Sequence, residues 1–173
     1  YTAGMKTLAL VTAIAATGHD DDLFPLAQAC TAAGLRVRIV AWDDATVSWS
    51  RFDAVLLRSP WDYTERLPEF LAWCERVEAA ALLLNPLAVV RWNTEKHYLD
   101  DLAAMGMPVV PTQFVEVDAE PLDALQRFLA AHAADELVVK PAVSAGARDT
   151  QRYARSQEFA ASNHVARLLD EGR

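Results

Sequence analysis

The first 85 residues repeat one pattern, in which short apolar runs alternate with segments of helical spacing, and this pattern most constrains the fold. The runs are mostly apolar and too short for helices, which predicts strands. The order of elements is strand, helix, strand, strand, helix, strand, and this order predicts an open, Rossmann-like parallel α/β sheet. The predicted strands cover residues 6–13, 35–42, 52–60 and 81–85, and the predicted helices cover residues 23–34 and 67–80.

The pattern changes near Arg91, where the regular alternation ends and a smaller mixed region begins. Asn93 has the side chain of a good N-cap, and Gly106 is a typical helix end. We therefore predict two domains, an N-terminal α/β domain over residues 5–88 and a small α+β domain over residues 89–173. In the second domain we predict helices at residues 96–105, 121–133 and from Ser156 to Leu169, with strands at residues 112–117, 136–142 and near 151–154.

The chain is acidic, with 16 basic and 24 acidic residues, a formal net charge of −8 and a pI of about 4.9. Binding to nucleic acid normally requires a basic patch, so this charge argues against a nucleic-acid partner. No apolar run approaches the roughly 18 residues of a membrane span, and the N-terminus lacks the pattern of a secretory signal. We therefore expect a cytoplasmic protein without a membrane partner.

The cysteines and the N-terminus add little about function. Cys30 and Cys74 lie within apolar helical patterns, which favours buried free thiols over a disulfide or a metal site. Tyr1 to Gly4 precede a methionine at position 5 and are typical of residues added by cloning, so they carry no fold argument. No heptad pattern is present, although the helical surfaces could form a homo-oligomer.

The stretch "VVKPAVSAGA", residues 138–147, combines a lysine at a predicted strand end with a loop of small residues. A point charge beside exposed backbone N–H groups is a combination that can hold a phosphate. The stretch is not a Walker A motif, which needs Gly-Lys followed by Ser or Thr before a helix. The spacing alone is equally compatible with a strand that ends in a solvated lysine and a flexible turn.

A second lysine, Lys96, lies in the first turn of a predicted helix, where the helix dipole favours anionic side chains. Taken alone, Lys96 is better explained as an exposed helix lysine. Lys140 belongs to the same predicted domain, and two lysines that converge on one polyphosphate would compensate much of its charge. The pair therefore predicts a phosphate site more strongly than either lysine does alone.

The stretch "NTEKHYLDDLAAMGMPVVPT", followed by a strand that ends "VVKP" and a small-residue loop, resembles the ATP-grasp superfamily. It is most similar to glutathione-synthetase-like carboxylate–amine ligases, whose motif runs Asn-x-x-Lys, a helix, Gly-x-Pro-x-Pro-x-Thr and then Val-Lys-Pro. In those ligases both lysines contact the ATP phosphates, and the loop after the second lysine closes over them. The resemblance implies that Lys96, Lys140 and the loop residues Ser144, Ala145 and Gly146 bind ATP.

The same resemblance implies a reaction. An ATP-dependent ligase of this kind activates a substrate carboxylate as an acyl phosphate, which an amine or similar nucleophile attacks. No catalytic side chain is required, because positioning and charge compensation supply most of the rate. Residues 89–173 would form the middle (lid) domain, and the chain would stop before the C-terminal domain that supplies the ligands of Mg²⁺. The chain by itself would then be an inactive fragment.

The stretch "LLRSPWDYTER", residues 56–66, follows a predicted strand with charged and aromatic side chains. Ligands of open α/β sheets collect at the carboxyl ends of strands, where Arg58 could hold a carboxylate or phosphate and Asp62 an amine. A packed turn with an Arg58–Asp62 ion pair explains these residues equally well. Similar ATP-grasp proteins carry an Arg-Ser-x-Trp-Asp-Tyr segment, and this favours substrate binding by Arg58, Ser59, Trp61, Asp62 and Tyr63.

Other classes of function stay open. The acids of "GHDDD", residues 18–22, could bind a metal ion, but adjacent acids before a helix usually form a solvated N-terminus, so no metal site is predicted. A receiver-like phosphoacceptor domain also has acids after its first strand, although the third predicted strand ends in Arg58 where that class needs an aspartate. A non-catalytic nucleotide-binding module would keep the fold without a reaction.

Overall fold

The computed structural model describes residues 5–172, so the prediction that residues 1–4 are a cloning remnant lies outside the described residues. The chain forms two compact units that divide between Trp92 and Asn93. Each unit has its own sheet and its own buried core.

The first unit is built on a parallel sheet. Its strands are β1 (Thr7–Thr12), β2 (Arg36–Ala41), β3 (Ala54–Ser59) and β4 (Leu82–Leu84), and its helices are α1 (Leu23–Ala32), α2 (Leu67–Glu78) and α3 (Leu87–Asn93). The four strands are all parallel and lie in the order β2-β1-β3-β4. The predicted open parallel α/β sheet is therefore confirmed, with strand ends within two residues of the predicted ones.

Strand β1 is buried on both faces, which explains why its sequence is a continuous apolar run rather than an alternating one. Leu8 and Leu10 pack with Leu23 of α1 in one cluster of buried side chains. Ala9 and Val11 belong to a second cluster, which includes the buried residues of α2. The sheet of the first unit is thus covered by helices on both faces.

Helix α2 buries one stripe of side chains, as its sequence spacing predicts. The stripe includes Trp73, which is 3% exposed and stacks on Phe70 with ring centroids 5.6 Å apart. Leu71, which follows Phe70 in the helix, is only partly buried. Burial raises the pKa of the Cys74 thiol to about 12. Cys30 is only half-buried, so the expectation of buried thiols is met at Cys74 alone.

The strand order creates a switch point between two neighbouring strands. From β1 the chain moves to one side of the sheet to form β2, and it then crosses to the other side to form β3. A register shift between Val11 and Thr12 places Thr12 opposite Ser59 at the carboxyl ends of β1 and β3. In open α/β sheets, the crevice outside such a switch point is the usual place for a ligand.

The second unit contains a two-stranded antiparallel sheet and three helices, among the described residues. The strands are β5 (Glu136–Val139) and β6 (Gln151–Ala154), and the helices are α4 (Tyr98–Ala104), α5 (Pro121–Ala131) and α6 (Glu158–Asp170). The side chains of α5 and α6 form one core with those of the sheet. That core consists of Leu125, Leu129, Leu137, Val139, Tyr153, Ala161 and Leu168.

The predicted strand at residues 112–117 is wrong. This segment pairs with neither β5 nor β6, and Val117 is 79% exposed. Phe114 stacks on His97 instead, with ring centroids 3.8 Å apart. Apolar and polar residues alternate in this segment as they do in a strand, but the contact observed is ring stacking rather than strand pairing.

The predicted N-cap Asn93 and the predicted helix start at Ser156 are also wrong. Asn93 is the last residue of α3, because the apolar run from Leu87 forms a short helix of its own, and His97 is the N-cap of α4. Ser156 lies in a short 3-10 helix, so Gln157 is the residue that precedes α6.

Among residues 5–172, none of the helices combines the length and apolar character needed to cross a bilayer.

Candidate functional site

A charged cluster lies at the switch point of the first unit. Arg58, near the end of β3, donates from Nη2 to Asp20 Oδ1 at 3.0 Å and to Asp22 Oδ2 at 3.3 Å. Arg58 is thus paired with acids from the segment before α1 rather than with Asp62. Its Nε and Nη1 atoms donate to no other residue in the described part of the chain. Three N–H groups of the guanidinium therefore stay available for a ligand.

Asp20 is the most buried member of this cluster. Its side chain is 4% exposed, compared with 31% for Arg58 and 87% for Asp22. Oδ1 of Asp20 also accepts a hydrogen bond from the backbone N–H of Asp22 at 3.2 Å. Oδ2 is buried and has no donor within residues 5–172. A buried acceptor without a donor costs about 1–3 kcal/mol, so this oxygen is an exception that calls for an explanation.

The other predicted substrate residues of this stretch differ in how far they are exposed. Ser59 is fully buried, and its Oγ donates to Thr12 Oγ1 at 3.2 Å, which fastens the ends of β3 and β1. Trp61 is 41% exposed, and the ring of Tyr63 packs on Phe70 with centroids 5.5 Å apart. Ser59 and Tyr63 therefore have packing roles here, and Trp61 offers an exposed ring. Their predicted contact with a substrate stays a prediction.

Asp62 lies in the short 3-10 helix Trp61–Thr64. Its Oδ1 accepts a hydrogen bond from Trp42 Nε1 at 2.8 Å, and its Oδ2 accepts one from Arg66 Nη1 at 3.3 Å. Both carboxylate oxygens thus have donors inside the protein. The predicted binding of an amine by Asp62 would have to compete with these contacts.

Arg66 is a residue whose importance the sequence reasoning missed. It donates to both oxygens of Glu69, at 2.9 and 2.6 Å, and also to Asp43 at 3.0 Å and to Asp62. Its guanidinium lies 4.5 Å from the ring centroid of Trp42. The hydrogen bonds from Arg66 lower the pKa of Glu69. Asp62 and Glu69 lie four residues before and three residues after Arg66, and this spacing could have indicated part of the network from the sequence. The contact with Asp43 depends on the fold.

Lys96, in the turn before α4, contacts the loop that follows β5. Its Nζ donates to the carbonyls of Pro141 and Ala142, at 3.0 and 3.1 Å, and to Ser144 Oγ at 2.8 Å. The backbone N–H of Lys96 also donates to the Ala142 carbonyl. Burial and the nearby charge of Lys140 lower the pKa of Lys96 to about 8. All three acceptors are neutral oxygens, so the positive charge is solvated by the loop without being neutralised.

The loop after β5 presents backbone N–H donors in the same unit as Lys96 and Lys140. Lys140 directly follows β5 and is exposed. Across the described residues, the backbone N–H groups of Ser144, Ala145 and Gly146 donate to no partner. Gly146 and Ala147 are both left-handed, with φ of +61° and +57°. Turns with free consecutive N–H groups are able to bind anions.

Two of the three acids in residues 18–22 face an arginine of the same unit. Asp20 and Asp22 both contact Arg58, and His19 is exposed. In the part of the chain that the structure describes, no three or more His, Cys, Asp and Glu side chains are placed to hold a metal ion together. The two aspartates are therefore partners of a guanidinium in this fold.

An open parallel sheet with charged side chains at its switch point is an architecture in which α/β proteins commonly bind small molecules. Residues 8–85 match the family model described as the N-terminal domain of D-cycloserine synthetase DcsG. The Streptomyces lavendulae protein named cycloserine biosynthesis protein DcsG is 48% identical to this chain over 169 residues. The alignment covers 97% of this chain and 56% of that relative.

A solved structure gives the same result. The crystal structure of D-cycloserine synthetase DcsG matches with a TM-score of 0.88 and 48% identity, covering 96% of this chain and 56% of that one. The chain thus spans a little more than half the length of the relatives it matches. The chain is therefore similar to the DcsG N-terminal domain over residues 8–85, and to a solved structure named as a synthetase over 96% of its own length.

The comparisons correct the resemblance inferred from the lysine motifs. Assignment to glutathione-synthetase-like ATP-grasp ligases was wrong, because the family model that matches is that of the DcsG N-terminal domain. The match falls on residues 8–85, whereas the motifs that carried the resemblance lie after residue 92. Those motifs are short, and their glycines and prolines recur in turns for reasons of backbone geometry alone.

Proposed function

We propose that this chain forms the nucleotide-binding and substrate-binding part of an ATP-dependent ligase. The names of the relatives support a synthetase in general terms. The observation that carries the ATP proposal is the arrangement around Lys96, which holds the loop after β5 through three neutral oxygens. An ammonium group without a carboxylate partner, beside a second lysine and free backbone N–H groups, favours a polyphosphate ligand.

The roles of the residues follow from this arrangement. Lys96 and Lys140 would compensate the phosphate charge, and the N–H groups of Ser144, Ala145 and Gly146 would donate to phosphate oxygens. Bound ATP would supply the phosphoryl group that activates a substrate carboxylate as an acyl phosphate for attack by an amine or similar nucleophile. Mg²⁺ would accompany the nucleotide, although the described residues offer no cluster of three or more ligands for it. The crevice beside Arg58 would receive the small-molecule substrate.

The proposal is tested by titrating ATP, followed by calorimetry, into the parent chain and into Lys140→Ala. We expect the substitution to weaken ATP binding at least about tenfold, because one lysine–phosphate contact is lost. Lys6→Ala is a matched control, since it removes one positive charge from an exposed lysine that pairs with Asp53 in the first unit. Equal ATP affinity in the parent and Lys140→Ala, or no ATP binding by the parent, would contradict the proposal.

A further inference from the structure

Lys96 and Ser144 make a contact that allows covalent chemistry as well as charge compensation. The Lys96 nitrogen lies 2.8 Å from Ser144 Oγ, and 3.0 and 3.1 Å from the carbonyl oxygens of Pro141 and Ala142. A protonated lysine has three N–H donors and no acceptor, so these three oxygens use all of its donors. Ser144 is half-buried, and the loop beyond it is exposed over residues 146–148. Solvent and small molecules therefore reach this serine.

Loss of one proton from Lys96 would reverse the direction of its hydrogen bond with Ser144. A neutral amine keeps two N–H donors, which the carbonyls of Pro141 and Ala142 can accept, and it gains one lone pair. The same three contacts are then satisfied if the Ser144 hydroxyl donates to the Lys96 nitrogen. A serine hydroxyl that donates to an adjacent base is an activated nucleophile.

The neutral state of Lys96 is accessible at mildly alkaline pH. Burial, together with the charge of Lys140, lowers the pKa of Lys96 to about 8 from its ordinary 10.5. At pH 8 about half of the molecules would carry the neutral amine, compared with less than about 1% for an ordinary lysine. Glu95 and Glu116 contact His97, at 2.8 and 3.6 Å, so they do not hold the proton on Lys96 through an ion pair.

The backbone at Ser144 supplies the second part of such a site. The N–H groups of Ser144 and Ala145 donate to no partner among the residues that the structure describes. When a serine attacks a carbonyl group, negative charge develops on the carbonyl oxygen, and backbone N–H groups at the nucleophile and at the next residue are typical donors to that oxygen. A hydrogen bond from the Arg148 N–H to the Ala145 carbonyl, at 3.2 Å, closes the turn that carries these donors.

We propose that Lys96 and Ser144 form a serine–lysine dyad that accepts acyl groups from activated esters or acyl phosphates. Ser144 Oγ forms a bond to the acyl carbon while Lys96 Nζ takes the hydroxyl proton. The bond from that carbon to the leaving oxygen then breaks, and the leaving group departs with the electron pair and receives the proton from Lys96. The product is an acyl ester of Ser144, which water can hydrolyse. This step consumes no ATP, so it goes beyond the proposed ligase reaction.

The experiment incubates the parent chain with p-nitrophenyl acetate, without ATP, over a range of pH. Peptide mass spectrometry follows the acetylation of each residue with time. Alkaline hydroxylamine distinguishes an ester of serine, which it cleaves, from an amide of lysine, which it leaves intact. We expect a hydroxylamine-labile acetyl group on Ser144, formed at a rate that rises with pH up to about 8 and then levels off, because the neutral amine is the base.

Two variants test the dyad, and one serves as the matched control. Ser144→Ala should abolish the labile acetyl group at this position. Lys96→Arg keeps the positive charge but has no neutral form at these pH values, so we expect it to slow acetylation of Ser144 at least about a hundredfold. Ser156→Ala should leave acetylation of Ser144 unchanged, because Ser156 is an exposed serine of the same unit whose side chain donates to no described residue.

The proposal is overturned if the parent gains no labile acetyl group on Ser144, or if Lys96→Arg acetylates Ser144 as fast as the parent does. It is also overturned if Ser156 is acetylated as fast as Ser144 in the parent, because the contact with Lys96 would then confer no reactivity. Labelling is measured without nucleotide, so its outcome does not depend on whether the chain binds ATP.

Discussion

Arg58 in the first unit and Lys96 in the second are both cations held at loop positions, but their partners differ in charge. Arg58 is bound by two carboxylates, so its charge is neutralised within the protein. Lys96 is bound by two carbonyls and a hydroxyl, so its charge is fixed in place without being neutralised. The chemistry of the partners thus separates the two cations: the charge of Lys96 stays open to an anionic ligand, whereas that of Arg58 is already balanced.

The largest expected effect is a loss of stability of the first unit when Arg58 is replaced. Arg58→Met leaves the buried Asp20 carboxylate without its cation, so we expect the free energy of unfolding of the first unit to fall by about 2–3 kcal/mol. Urea unfolding followed by tryptophan fluorescence measures this directly, because all five tryptophans lie between positions 42 and 92. The double variant Arg58→Met with Asp20→Leu should recover most of the loss. A single variant as stable as the parent would show that the pair contributes nothing.

The next largest expected effect is a decrease in ATP affinity at alkaline pH, which tests the role of Lys96 without a mutation. Burial, together with Lys140, lowers the pKa of Lys96 to about 8 from its ordinary 10.5, so the ammonium loses its proton as pH rises through about 8. We therefore expect ATP affinity to be full below that pH and to fall by up to about tenfold per pH unit above it. Lys96→Arg should move the decline to higher pH, because a guanidinium stays protonated. Constant affinity from neutral to alkaline pH would contradict the role of Lys96.

The smallest expected effect is on the stability of the second unit. Lys96→Met removes three hydrogen bonds, but the acceptors are neutral and water can replace the ammonium, so we expect a loss of about 1 kcal/mol. Hydrogen exchange of the backbone amides of β5 and β6 reports on this unit. Lys140→Met, at an exposed position, is the control and should change little. A loss as large as that of Arg58→Met would remove the contrast between the two cations.

The first unit was predictable from sequence because its strands are buried on both faces and appear as apolar runs. Helix α3 was missed because "LAVVRW" is too short for its period to distinguish a helix from a strand. Residues 112–117 alternate as a strand does, and only the structure shows that they pair with neither β5 nor β6. The local sequence pattern thus located most helices and strands, but it did not determine which segments pair as strands.

The candidate site shows the same division between local and long-range information. The segments that contain Arg58, Asp20 and Lys96 all stand out in the sequence, as an unusual strand end, an acidic run and a lysine before a helix. Their partners lie 36 to 48 residues away. From the sequence, Asp62 was the acid considered as a partner of Arg58, and the direct contact between Lys96 and Ser144 was not predicted. Spacing along the chain does not determine which loops meet at a strand end.

The most direct test of the contrast between the two cations is a titration of ATP into Lys96→Met and into Arg58→Met. The account predicts that Lys96→Met weakens ATP binding at least about tenfold and that Arg58→Met keeps it, because the charge of Arg58 is already paired with two carboxylates. Equal ATP affinity in Lys96→Met and the parent, or an equal loss in both variants, would contradict the account.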